Sequence, residues 1–166
     1  MAVLDAHVKQ GKKALPLVRT AIDSPYPTIQ VAALEAAGVV GDGTLVAVLA
    51  ERAARGEGAS QAAARQSLIR LRGEDVDRAI LSLVDSSDAA LCVEAINTLS
   101  ERGVSIDAAG RLLLDQAQSD ASQVRQEALK ALGELAGPKE IPELVALVAG
   151  QRGAGTTDEV VKALIA

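Results

Sequence analysis

The sequence predicts an all-α chain wound as a right-handed α-α superhelix of about four to five stacked antiparallel helix pairs. Three observations point there. An apolar stripe at helical spacing recurs four times along the chain, and a second, more uniformly apolar set of segments alternates with it. The side chains available for a core are small: 49% of the 166 residues are hydrophobic, yet there is no Phe or Trp and a single Tyr. Ala, Leu, Val and Ile cores suit helices that approach one another closely.

The elements follow in order. Residues 2–10 read as the end of a preceding helix. ALPLVRTAID from Ala14 is the first of the more uniformly apolar segments, and TIQVAALEAAGVV answers it with the stripe Ile29, Ala33, Ala37 and Val40. After the turn Gly41-Asp42-Gly43 comes TLVAVLAERA from Thr44, then Gly56-Glu57-Gly58, then QAAARQSLIRL with Ala63, Ser67 and Leu71. DVDRAILSLVD from Asp75 pairs with ALCVEAINTLS, whose stripe is Leu91, Ala95 and Leu99. AAGRLLLDQA from Ala108 pairs with QVRQEALKALGEL, carrying Val124, Ala128, Leu132 and Leu135; IPELVALVAG from Ile141 opens the last pair. The first stripe positions lie 34, 28 and 33 residues apart, and the units fall at 12–40, 43–72, 75–102, 105–136 and 138–166 in one array. Asp-Ser steps at 23–24 and 85–86 and Gly137-Pro138 supply further turns, Asp120 is placed to cap the helix of Val124, and Thr156 with Glu159 reads as a capping box.

The ends repeat as well. GKKALP at 11–16 aligns with GPKEIP at 137–142, so the chain opens within a unit, and it closes on VVKALIA, with Val160, Val161, Leu164 and Ile165 and no polar outer face. The expectation is a segment of a longer array; the alternative is an end that self-associates with a second copy through its exposed terminal repeat.

Val124-Arg125-Gln126-Glu127-Ala128-Leu129-Lys130-Ala131-Leu132-Gly133, followed by Gly-Pro-x-x-Ile-Pro at 137–142, resembles the HEAT repeat family, especially the short bacterial repeats of the bilin-lyase-like type. The resemblance covers essentially the whole chain, the second and third units matching in their apolar skeleton only. It implies second helices lining a concave face, and an Asp and an Arg bonding along the stack. Asp23, Asp85 and Asp120 suit the acidic slot, but the slot of Arg125 elsewhere holds Gln30, Ala64 and Cys92. Cohesion should therefore rest mainly on packing.

Such an array binds along its concave face, which makes a protein-interaction scaffold the expected function and a protein or peptide the expected partner. Counting two residues on from each stripe gives Val31, Arg65, Val93 and Gln126; six residues on gives Glu35, Ile69, Asn97 and Lys130. This mixed strip is the candidate partner surface, with Val31, Ile69 and Val93 as apolar anchors. The alternative is that these aliphatics pack on an adjacent helix, the register being one residue off. A spacer without a partner is a further reading. So is a bilin-lyase-like chromophore protein, for which Tyr26 is the lone aromatic candidate.

Catalysis and cofactors are not expected. One His and one Cys leave no disulfide framework, no Cys-rich zinc site and no paired-His metal centre. His7 is followed by Val8, unlike the recurring His-Glu ligands of the hydroxylases built on HEAT repeats. Cys92 lies in an apolar run and reads as a buried small hydrophobe. Acid pairs such as Asp75 with Asp77, or Glu134 with Glu140, fall at helix ends, where carboxylates are routine. Residues 150–157 mimic a phosphate-loop spacing without its Lys or its preceding strand. With 17 basic against 22 acidic residues, the net charge of minus five argues against nucleic acid. Arg52, Arg55, Arg65, Arg70, Arg72 and Arg78 do crowd one stretch, but five acids interleave and no aromatic is there to stack on a base. No signal peptide or membrane span is visible, so a soluble, cytoplasmic protein is expected.

Overall fold

The computed structural model describes residues 11–137. Among them the chain is all-helical, with eight α-helices and no strand. They are α1 (Leu15–Ile22), α2 (Pro27–Val40), α3 (Val46–Arg55), α4 (Gly58–Arg70), α5 (Glu74–Val84), α6 (Ala89–Arg102), α7 (Ile106–Gln116) and α8 (Ser122–Leu135). The expected unit at 138–166, the preceding helix at 2–10, the Thr156–Glu159 box, the 150–157 loop and His7 lie outside the described residues. None of the described helices is long and apolar enough to cross a membrane.

Local chemistry places the helix ends. Pro16 and Pro27 occupy first-turn positions of α1 and α2, where a missing N–H costs nothing. Asp88 caps α6 by accepting from the N–H groups of Ala90 and Leu91, and Ser105 caps α7 through the N–H of Asp107. Glu74, Asp75 and Asp77 fill the first turn of α5, as expected for acids at a helix N-terminus. At the other end of α6, Gly103 takes the left-handed conformation at φ 63°, and the N–H groups of Gly103 and Val104 return to the carbonyls of Ser100 and Leu99. Asp120 does not cap α8: that helix starts after Ala121 with no side-chain cap.

Consecutive helices pack as α1 on α2, α3 on α4, α5 on α6 and α7 on α8. The first helices contribute fully buried Val18, Leu49, Ile80 and Leu113, and one turn later Ile22, Ala53, Val84 and Ala117. The second helices contribute Ala33, Ala64, Ala95 and Ala128, each at most 2% exposed. All these rows recur at intervals of 31, 31 and 33 residues. A polar contact keeps the same register. Gln30 Nε2 donates to the carbonyl of Ile22, Gln61 Nε2 to Ala53 and the Cys92 thiol to Val84, each reaching back eight residues to an orphan carbonyl in the last turn of the preceding helix.

That register corrects the one expected from the stripes. The slot of Gln30 and Cys92 is filled in the second pair by Gln61, not Ala64, a shift of three residues. Ile29 and Leu91, which head two of the expected stripes, are not buried, whereas the interior positions of every stripe are. Arginine and carboxylate side chains do bond between pairs, though not through the slot of Arg125 and, of the three expected acids, only through Asp23. Arg52 reaches Asp23 at 2.8 Å, Arg55 pairs with Asp88, and Arg65 pairs with Glu94.

Candidate functional site

The rows just described also locate an exception. Arg65 occupies the position that holds Leu34, Ile96 and Leu129 in the other pairs, all at most 3% exposed. An arginine there cannot fill the space between neighbouring helices as a leucine does. Correspondingly, α4 meets α6 sparsely, while α2 packs closely on α4 and α6 on α8; α6 leans instead on α3. The gap is a hollow of about 210 Å³, lined by Arg65 and Ile69 of α4, Glu94, Asn97, Thr98 and Glu101 of α6, and Glu127 and Lys130 of α8. Each helix presents one face to it: the spacings are i, i+4 on α4, i, i+3/i+4, i+7 on α6, and i, i+3 on α8.

Charge in the hollow is partly committed. Arg65 Nε donates to both Glu94 oxygens at 3.0 and 3.1 Å, and Nη2 donates to Oε2 at 2.9 Å. The Glu94 side chain is only 5% exposed, that of Arg65 49%. Removing a carboxylate from water is costly unless its oxygens are satisfied, which this bidentate geometry achieves. The Glu94 hydrogen bonds hold the Arg65 guanidinium above its ordinary range against the opposing effect of burial, with the charges of Glu94 and Glu101 adding to them. Thr98 Oγ1 turns away to the carbonyl of Glu94. Lys130 Nζ stands 3.9 Å from Glu127, with most of its side chain in solvent.

Of the eight residues chosen from the sequence, the structure brings Arg65, Ile69, Asn97 and Lys130 together around this hollow. It does not bring Val31, Glu35, Val93 and Gln126 there. Val31 and Val93 are half-buried and pack against the core, in line with the alternative the sequence leaves open for them, while Glu35 and Gln126 are exposed on α2 and α8. Glu94, Thr98, Glu101 and Glu127 were missed. The available signal was a Glu inside the apolar run ALCVEAINTL, a position where helix-stripe counting expects a small aliphatic.

A second hollow, of about 410 Å³, is lined by Asp23, Val48, Glu51, Arg52, Arg55 and Gly56. It shows what becomes of the arginine-rich stretch: Arg52 and Arg55 are tied to Asp23, Asp88 and Glu51. Cys92 is buried, and burial pushes its thiol up to about 11, with the charge of Asp85 adding to the effect. Tyr26 sits exposed at the start of α2. Among the described residues no group of three or more His, Cys, Asp or Glu side chains is placed to hold a metal ion. Searches with the sequence matched no protein-family model and no curated protein.

Proposed function

We propose that this chain is a protein-interaction scaffold, its helix pairs continuing the antiparallel stacking of a right-handed HEAT-like solenoid and its second helices presenting one face to a protein or peptide. The role is binding rather than catalysis. The observation that carries it is the convergence of three successive second helices, α4, α6 and α8, on one solvent-connected hollow. Three helices sharing one recess give a partner contacts on several units at once, which is how a repeated array gains affinity from individually weak contacts.

Ile69→Asp tests this. Ile69 is half-buried at the hollow and outside the continuous core, so the variant should keep its helicity while losing a protein captured from source-cell lysate on the immobilised chain. Nuclease treatment and two salt concentrations separate protein capture from nucleic-acid carry-over. Capture that is equal for the two chains removes the hollow from the interaction; absence of any specific capture favours a spacer.

A further inference from the structure

We infer that the hollow between α4, α6 and α8 is a socket for one lysine or arginine side chain of a basic partner segment; this rests on the interaction-scaffold reading above. Size is the first argument. At about 210 Å³ the hollow falls below the ~300–1,000 Å³ of sites that enclose a free small molecule, but it admits the head of one side chain.

Charge is the second. Three carboxylates, Glu94, Glu101 and Glu127, face two cations, Arg65 and Lys130. Arg65 is spent on Glu94 through Nε and Nη2. Lys130 is 3.9 Å from Glu127 and largely solvated, a contact too loose to neutralise it fully. The Glu101 side chain makes no hydrogen bond or close ion pair among the described residues, its charge acting on Arg65 only at a distance. An incoming cation therefore meets two available carboxylates, one from α6 and one from α8. Ile69 offers the aliphatic stem of a lysine or arginine an apolar wall, the usual arrangement when such a side chain buries its methylenes and keeps its head hydrated. The chain's net charge of minus five steers a basic segment in the same direction.

A random-peptide display library, selected on the full immobilised chain, tests the inference. Lysine- or arginine-bearing peptides should be enriched, and their binding should fall about tenfold in the Glu101→Gln, Glu127→Gln double variant, as expected for losing two half-exposed charge pairs. Glu101→Lys, at an exposed position, gives a second readout: it should reject those peptides and admit acidic ones. Enrichment of acidic or uncharged peptides overturns the socket while leaving an interaction scaffold. So does enrichment of basic peptides that bind the Gln variant equally well. If no peptide is enriched over the bare support, both the socket and the scaffold reading fall.

Discussion

Between α2 and α4 the helices approach so closely that a Cβ on Gly38 would stand 2.9 Å from the Ser67 Cα, and Ser67 Oγ, fully buried, donates to the Leu34 carbonyl at 2.7 Å. Between α4 and α6 the contact is sparse and arginines hold it: Arg65 of α4 on Glu94 of α6, and Arg102 of α6 on the carbonyls of Leu68, Ile69 and Leu71 at the end of α4. The same kind of joint is thus made in two ways. Gly, Ala and Ser let backbones touch and seal the interface against water; a long charged side chain at a leucine position props the helices apart and leaves a wet recess. The fold therefore forms its recess by replacing packing at one joint, with no inserted loop.

Removing Arg102 should break this contrast most strongly. Its side chain is 9% exposed, Nη1 donates to the carbonyls of Leu68, Ile69 and Leu71 at 2.8, 3.0 and 2.8 Å, and Nε and Nη2 reach Asp77 at 2.9 and 2.6 Å. Arg102→Ala should cost about 3 kcal/mol in urea unfolding, since the C-terminal carbonyls of α4 lose their donor. Arg102→Lys should recover little, because one ammonium cannot reproduce the planar fork. A loss below about 0.5 kcal/mol, the range of an ordinary surface substitution, would mean the joint is held elsewhere.

A smaller effect sharpens the comparison. Arg65→Leu alone strands the Glu94 carboxylate and should cost about 1–2 kcal/mol, less than a fully buried pair because Arg65 is half exposed. Adding Glu94→Ala installs the pair found at the matching positions of the α2–α4 joint, Leu34 with Ala63, and should restore stability to within about 1 kcal/mol of the parent. A double variant as unstable as the single one would show that α4 and α6 cannot close.

The smallest effect concerns acid. The hydrogen bond from the Leu91 N–H, first, and then the charge and hydrogen bond of Arg55 hold the Asp88 carboxyl below its ordinary range. A depressed folded value stabilises the native state above the unfolded carboxylate's range, and that stabilisation disappears as the pH falls through the folded value. Melting temperature against pH should therefore show a shallower acid limb in Asp88→Asn than in the parent.

Much of the helical layout was legible in the sequence. Stripes with spacings of three and four and the Gly-rich turns placed helices where they lie, because amphipathic periodicity reports burial directly. The second pair was misregistered by three residues for a physical reason. α4 packs on more than one side, so Ala64 and Leu68 are as buried as Ser67 and Leu71, and the run Ala62-Ala63-Ala64 offers no large side chain to distinguish the rows. The misregistration nevertheless selected Arg65 and Ile69, which do line the hollow. Glu94 stayed hidden because its burial depends on a partner one helix pair away, and stripe counting sees a single helix at a time.

The bonds that tie neighbouring pairs together are short in sequence: Arg65 to Glu94 closes 29 residues, Ser67 to Leu34 33, and Arg102 to Leu68 34. Among the described residues no such bond waits for distant parts of the chain to meet, so the loop-closure entropy of each is that of a single neighbouring pair. Local closures of this kind are the topology that goes with fast folding in helical proteins.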